Sequence, residues 1–344
     1  MPGDYSVDSE SYVVMGFPMM RSTPVLFYNK DALEATGLRP PTNWEGLRAA
    51  ANALTTSTTK GLGLPDTWST WIYGGFAHQA GTQVINRTDW TTVTFETDGN
   101  TEALTIWDTL AKDGSIPVPL TPWSDAVDNF VAGAFPMLYF TPGGIAKVKA
   151  GATFNWDCVY MPAGPKGFAA TQGGGDFHIF QGVSKAEQDA AWKLIQFLTN
   201  PENAARYAAA SGYVAVNKKS YDTEKMKAVV AETPQYLVAR DQMESYGYPQ
   251  MMSENIQQVR EVLWTNLDDL VAGTKTVAQV QADGQAGMTA AIFGEDAPAE
   301  SPPASEPVID PPAPSPPAPS PTSAASGMRV GLALMFGGII ALLK

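Results

Sequence analysis

Apolar residues recur with a helical period in several stretches of the chain. In 43–54, Leu47, Ala50, Ala51 and Leu54 fall on one face behind Asn43, a residue suited to capping a first turn. In 101–114, Leu104, Trp107 and Leu110 share a face, and Gly114 ends the segment. Residues 184–212 read as two helices: Ser184 and Glu187 have capping-box spacing, and Pro201 suits the first turn of the second helix. In 253–273, Ile256, Val259, Val262, Leu263, Leu267 and Leu270 face inward, and Gly273 closes the helix. Short apolar runs predict strands at 25–28, 137–140, 157–161 and 176–181. Helices and short strands thus alternate irregularly, an α/β pattern. One detail resists it: the polar pair Ser22 and Thr23 stands at the mouth of the first apolar run.

With 344 residues the chain exceeds one ordinary domain, so two compact units are expected. A hydrophobic content of 44% supports a large core, and a net charge of −13 argues against nucleic acid as a partner. The last fifty residues carry few charges, so the acidity belongs to the folded part. Cys158 is the only cysteine, which excludes an internal disulfide and a cysteine zinc site; it reads as a small buried residue. His78 and His178 lack metal-ligand spacing, and neither is assigned to a metal. No G-x-S-x-G, P-loop or H-E-x-x-H motif is present, so the expectation is a protein that is not an enzyme and uses no cofactor. Asn86-Arg87-Thr88 is a glycosylation sequon, making Asn86 an acceptor candidate if the chain is secreted by a eukaryote. The first residues have neither a basic nor an apolar region and do not read as a signal peptide.

Past residue 295 the composition changes. Residues 296–327 are rich in Pro, Ser and Ala and read as an extended polyproline II spacer. The tail 328–344 holds the uncharged run Val330–Leu343, whose 14 residues fall short of the ~20 that span a bilayer as a helix. An apolar tail after small residues resembles a GPI-attachment signal; the alternatives are a short membrane anchor or a misassigned end of the reading frame.

Four stretches follow one another in the chain: "STPVLFYNKDALEATGLRPPTNWEGLRAAA", "FVAGAFPMLYFTPGGIAKVK", "FNWDCVYMPAGPKG" and "GGGDFHIFQGVSKAEQDAAWKLIQFLTNPENAARYAAASGYVAV". Their order, over about residues 16–293, resembles that of motifs in family 1 extracellular solute-binding proteins of ABC importers. The first is similar to the segment that crosses between lobes in that family. Within the family, the sn-glycerol-3-phosphate-binding type is most similar. The resemblance implies a type 2 periplasmic-binding-protein fold, two α/β lobes hinged about a cleft. It implies a first lobe from 1–27 and 176–220, with the hinge, and a second from 28–175 and 221–295. The family has roughly a hundred residues before this crossover, most of a lobe. The first lobe is therefore expected to be incomplete, with 176–220 short of sheet partners. On this view the hydroxyls at the strand mouth face the cleft.

The resemblance also implies ligand contacts. Arg260, mid-helix, aligns with a phosphate-binding arginine; a guanidinium fork suits a small dianion, the plain alternative being a solvated helix arginine. Ser22 aligns with a ligand serine, and Tyr213 with a ligand tyrosine, against the alternatives of a turn serine and a core tyrosine. Gly174, in a glycine run, can bring backbone N–H groups close to an anion or serve only as a hinge. Thr141 replaces a family serine, and the neighbouring Pro142 removes one donor. Trp68 and Trp71 either floor the cleft or belong to the core. The expected function is binding of glycerol-3-phosphate, or a related polyol phosphate or sugar, for import by ABC permease subunits. The chain is expected to be monomeric, extracellular or periplasm-like, and held at the cell surface or membrane by its tail. The alternatives are an oligosaccharide binder, and a surface or wall adhesion protein that keeps the fold without transport. Deleting residues 328–344 is expected to move the expressed chain from the membrane fraction to the soluble fraction. A full-length chain already entirely soluble on fractionation removes the tail's proposed role.

Overall fold

The computed structural model describes residues 16–294. The start of the expected first lobe (1–15), the linker 296–327 and the tail 328–344 lie outside the described residues. Among the described residues no helix is long and apolar enough to cross a membrane.

The chain opens with strands β1 (Phe17–Ser22) and β2 (Val25–Asn29), then helices α1 (Lys30–Ala35) and α2 (Trp44–Leu54). Strand β3 (Leu62–Gly63) leads to α3 (Ser69–Gln79), α4 (Asp98–Lys112) and α5 (Trp123–Val131). Strand β4 (Met137–Phe140) is followed by a single 3-10 turn (Pro142–Gly144) and α6 (Ile145–Gly151). Strands β5 (Trp156–Val159), β6 (Ala170–Thr171) and β7 (Gly173–Phe177) come next, then α7 (Lys185–Leu198) and α8 (Pro201–Ser211). Helices α9 (Glu224–Glu232) and α10 (Val238–Tyr246), strand β8 (Gly247–Tyr248), and helices α11 (Ile256–Val271) and α12 (Val277–Phe293) complete the described part.

The largest sheet has the order β3-β4-β2-β5, with β2 antiparallel to both neighbours. Val25–Tyr28 are buried because the strand is central and covered on both faces. Leu26 and Tyr28 enter a core built with α2, α3, α4, α11 and α12. Val25 and Phe27 enter a second core with α5, α6 and α10. Cys158 lies opposite Phe27 on β5 and is fully buried. Two further two-stranded sheets pair β1 with β7 and β6 with β8.

Helix ends follow the expected chemistry. The Asn43 side chain accepts from the Gly46 amide at 2.8 Å, and Ser184 and Glu187 form the reciprocal capping box. Pro201 opens α8, and Gly212 ends it in the left-handed region at φ 83°. Leu47, Ala50, Ala51 and Leu54 are all buried. Helix α4 starts one turn earlier than the apolar face predicts. Thr97 caps it, and its added turn buries Asn100, a polar residue that takes a 2.8 Å bond from the Tyr73 hydroxyl.

The strand expected at 176–181 is corrected: β7 is Gly173–Phe177, and 178–181 lie outside it. Phe177 pairs with Phe17, the first residue of β1, so the ladder ends where its partner does. The glycine run instead joins the strand. A Cβ on Gly174 would stand 2.2 Å from the Met20 carbonyl, and its φ of 131° suits only glycine. Beyond β7, α7 buries only Ile195, while Leu194 and Phe197 are 57% and 61% exposed.

Trp107 is fully buried, edge-on to Tyr73 at 5.8 Å and Phe76 at 5.9 Å. Trp107→Ala is expected to destabilise the fold by about 3–5 kcal/mol in chemical denaturation. A loss under about 1 kcal/mol contradicts the tight packing of this core.

Candidate functional site

The strand-mouth hydroxyls have structural partners. Chain passage from β1 to β2 is held by Gln242, whose amide donates to Thr23 Oγ1 at 3.1 Å and to the Pro24 carbonyl at 2.7 Å. Its Oε1 accepts the Met161 amide at 2.6 Å. Ser22 Oγ lies 2.7 Å from Thr141 Oγ1, and both residues are buried. Two hydroxyls share one bond there, so one proton stays available to a third oxygen.

Around this pair the other expected positions gather. Ser22 is paired with Gly173 across the β1–β7 ladder, next to Gly174 and its partner Arg21. The indole of Trp71 packs on Gly173, where a Cβ would lie 3.0 Å from Cζ2. Its Nε1 donates to the Gln172 carbonyl at 3.3 Å. The Tyr213 ring rests on Gly143, where a Cβ would be 3.2 Å from Cζ. Thr141 Oγ1 accepts the Gly143 amide at 3.3 Å. Trp68 and Trp71 both lean on Trp123, at 6.3 and 6.5 Å, and Trp123 stacks on Phe140 at 4.1 Å. Trp68, just before α3, is 41% exposed, whereas Trp71 is 7% exposed. Only Trp68 therefore presents a broad free face.

Trp71 also lines a cavity of about 40 Å³, room for about three waters. Arg260, Arg87, His78, Gln250 and Thr171 share its wall. Arg260 projects from α11 and donates to Gln250 Oε1 at 2.8 Å. Among the described residues it has no carboxylate within ion-pair distance. Burial pushes its pKa down from the usual arginine value, though the group stays charged. The Thr171 hydroxyl is buried without a hydrogen-bond partner. The seven expected positions therefore form one contiguous arrangement, with Arg260 joined to the rest through Trp71 and the shared cavity. Asn86, the sequon acceptor, is partly exposed, and its Oδ1 accepts the Thr88 amide at 2.8 Å.

The sequence profile of bacterial extracellular solute-binding proteins matches residues 4–235, more than half of the chain. The chain belongs to that family. The sn-glycerol-3-phosphate-binding periplasmic protein UgpB of Escherichia coli K12 is 26% identical over 294 residues, covering 80% of this chain. The chain spans 66% of that relative's length. UgpB from Mycobacterium tuberculosis, solved with glycerophosphocholine, superposes with a TM-score of 0.73 at 22% identity, covering 80% of this chain and 70% of that one. A cyclic alpha-maltosyl-1,6-maltose binding protein from Arthrobacter globiformis gives 0.69 at 21% identity, covering 81% and 72%. The fold is the α/β fold of solute-binding proteins.

Several residues of the arrangement escaped the sequence reading. Trp123, which packs against Trp68 and Trp71, carried no periodic signal of its own. Arg87 was visible only as the middle of a sequon. Thr171 ends the two-residue strand β6, and Gln250 lies in the connection between β8 and α11. His78 was set aside as a metal ligand, yet it stacks on Tyr248 at 4.4 Å within the cavity wall. Burial, helped by the charge of Arg87, pushes its pKa down to about 3.

A histidine neutral in the fold and titrating near 6.5 when unfolded stabilises the fold only while both states are neutral. That contribution is full above about pH 6.5 and shrinks as pH falls toward 3. Asp268 on α11 acts in the opposite sense: burial and the charges of Asp66 and Asp269 raise it to about 6, so its effect is lost as pH rises. Moving from pH 7 to 4.5 is expected to cost about 2–3 kcal/mol through His78. His78→Gln is expected to flatten the melting profile over that range. An unchanged slope in the variant shows that the imidazole titrates normally in the fold.

Proposed function

We propose that the chain binds a small anionic polyol, with glycerol-3-phosphate as the reference ligand, for import by an ABC-type permease. The observation that carries the reading is Arg260: a half-buried guanidinium without a carboxylate, in a cavity wall continuous with Trp71. A desolvated arginine fork meets two phosphate oxygens at once, and the low local dielectric strengthens those bonds. The likeness to UgpB proteins named for sn-glycerol-3-phosphate supports the same chemistry. The Ser22–Thr141 pair and Tyr213 add hydroxyl donors at the neighbouring edge. Closure of the two expected lobes would exclude water from the ligand and present the closed form to the permease. On this reading the protein works outside the cell, held near the membrane by its apolar tail through the Pro-rich spacer, binds as a monomer and performs no chemistry.

A sugar-binding reading has one observation in its favour. Trp68 exposes an indole face beside Trp71 and Trp123, as a surface that stacks on a sugar ring would. The two readings differ in what they ask of Arg260. Calorimetry on the full chain should show binding of glycerol-3-phosphate and not of maltotriose. Arg260→Lys keeps the charge but loses the fork and should already weaken binding. Arg260→Ala should cost about 2–4 kcal/mol, roughly thirty- to a thousand-fold in affinity. Unchanged affinity in both variants returns Arg260 to a packing role and puts the sugar reading ahead.

A further inference from the structure

The cavity that holds Arg260 has a second arginine in its wall, Arg87. No aspartate or glutamate lines this cavity, although the chain carries 35 of them. Elsewhere Arg21, Arg48 and Arg240 each bond an aspartate at 2.7 Å or less, while the exposed Arg39 and Arg206 have no ion pair among the described residues. Arg87, like Arg260, has no such partner among the described residues. Two like charges at one cavity repel each other, and in a strongly acidic protein a counter-charge would be easy to supply. Two arginines and no carboxylate in one cavity wall suit an anion that comes from outside.

The backbone that carries Arg87 is also held in place. Its loop is closed by the Ile85–Val93 bridge and by a 2.8 Å bond from the Asn86 amide to the Thr92 carbonyl. Asp89 accepts the amides of Thr91 and Thr92, both at 2.9 Å, and the Thr92 hydroxyl at 2.7 Å. Asp89 is thus spent on the loop rather than on Arg87. Within the loop Trp90 sits at φ 58°, a left-handed conformation rare for a bulky residue, and its side chain lines the same cavity. A loop fixed in this way presents a cation at little entropic cost on binding. Nearby His78 is neutral and brings no rival charge. The Thr171 hydroxyl, 3% exposed and unpartnered, supplies a further donor.

We propose that Arg87 and Arg260 form a two-arginine clamp that selects a phosphate monoester over a phosphodiester. This rests on the phosphate reading above. A monoester carries close to two negative charges at neutral pH and three terminal oxygens. A diester carries one charge and two such oxygens. Arg260, half-buried, serves both. The second arginine has an oxygen and a charge to meet only in the monoester.

The test is calorimetry on the full chain with glycerol-3-phosphate and glycerophosphocholine, for wild type, Arg87→Gln and Arg87→Lys, at about 50 and 500 mM salt. Arg87→Gln is expected to lose about tenfold in affinity for glycerol-3-phosphate and under about threefold for glycerophosphocholine. Arg87→Lys should recover part of the loss. The effect should shrink at high salt, because Arg87 is an exposed charge. Melting temperatures should stay together, which separates a contact with ligand from a role in holding the loop. An equal loss for both ligands, or none for either while wild type binds, overturns the clamp and leaves the phosphate reading standing. Failure of wild type to bind either ligand overturns both.

Discussion

Alternate side chains of β2 fill the two cores on either face of the main sheet. Leu26 and Tyr28 pack with the large helical layer, and Val25 and Phe27 with α5, α6 and α10. A slip of one residue in this strand would exchange the two sets and spoil both cores. Its register is therefore fixed from two sides, and so is the position of Ser22 and Thr23 just before it. Gln242 reinforces that position by bonding Thr23, the Pro24 carbonyl and the Met161 amide together. The Ser22–Thr141 contact inherits its precision from this arrangement: each hydroxyl sits at the end of a strand, β1 or β4, that abuts or belongs to the main sheet.

The charged part of the site is organised differently. Arg260 comes from α11, a long helix anchored by Val259, Leu263, Leu267 and Leu270. Arg87 comes from a short loop whose geometry depends on Asp89 and backbone pairing. One cation is placed by core packing and the other by local hydrogen bonds. On the aromatic side, Trp71 of α3 and Trp123 of α5 lean on each other, and Trp71 links the cavity wall to Gly173, the partner of Ser22.

Much of this was legible in the sequence wherever periodicity or capping chemistry spoke. Asn43, Ser184, Pro201 and Gly212 mark helix ends by their side-chain chemistry alone, and the faces of α2 and α11 follow from spacing. Helix α3 was harder, because nearly every residue in it is buried and an apolar helix shows no stripe. The glycine run of β7 reads as a loop in isolation. It becomes a strand only because β1, over 150 residues away, pairs with it. Candidate positions that matched a family motif could be named one by one. Arg87 and Thr171 could not, since their shared place in one cavity wall arises from which segments the fold brings together, and no local pattern encodes that.

The solitary thiol has a practical side. Cys158 is sealed between β2 and the Gln235 carbonyl, and burial raises its pKa well above the usual thiol range, so it stays protonated and shielded. The rest of the chain has no competing sulfhydryl. A cysteine placed at an exposed position such as Thr67 or Gly182 would thus be the single reactive handle for a fluorophore or spin label. Conformational change on adding a candidate ligand could then be followed site by site without first stripping native residues from the protein.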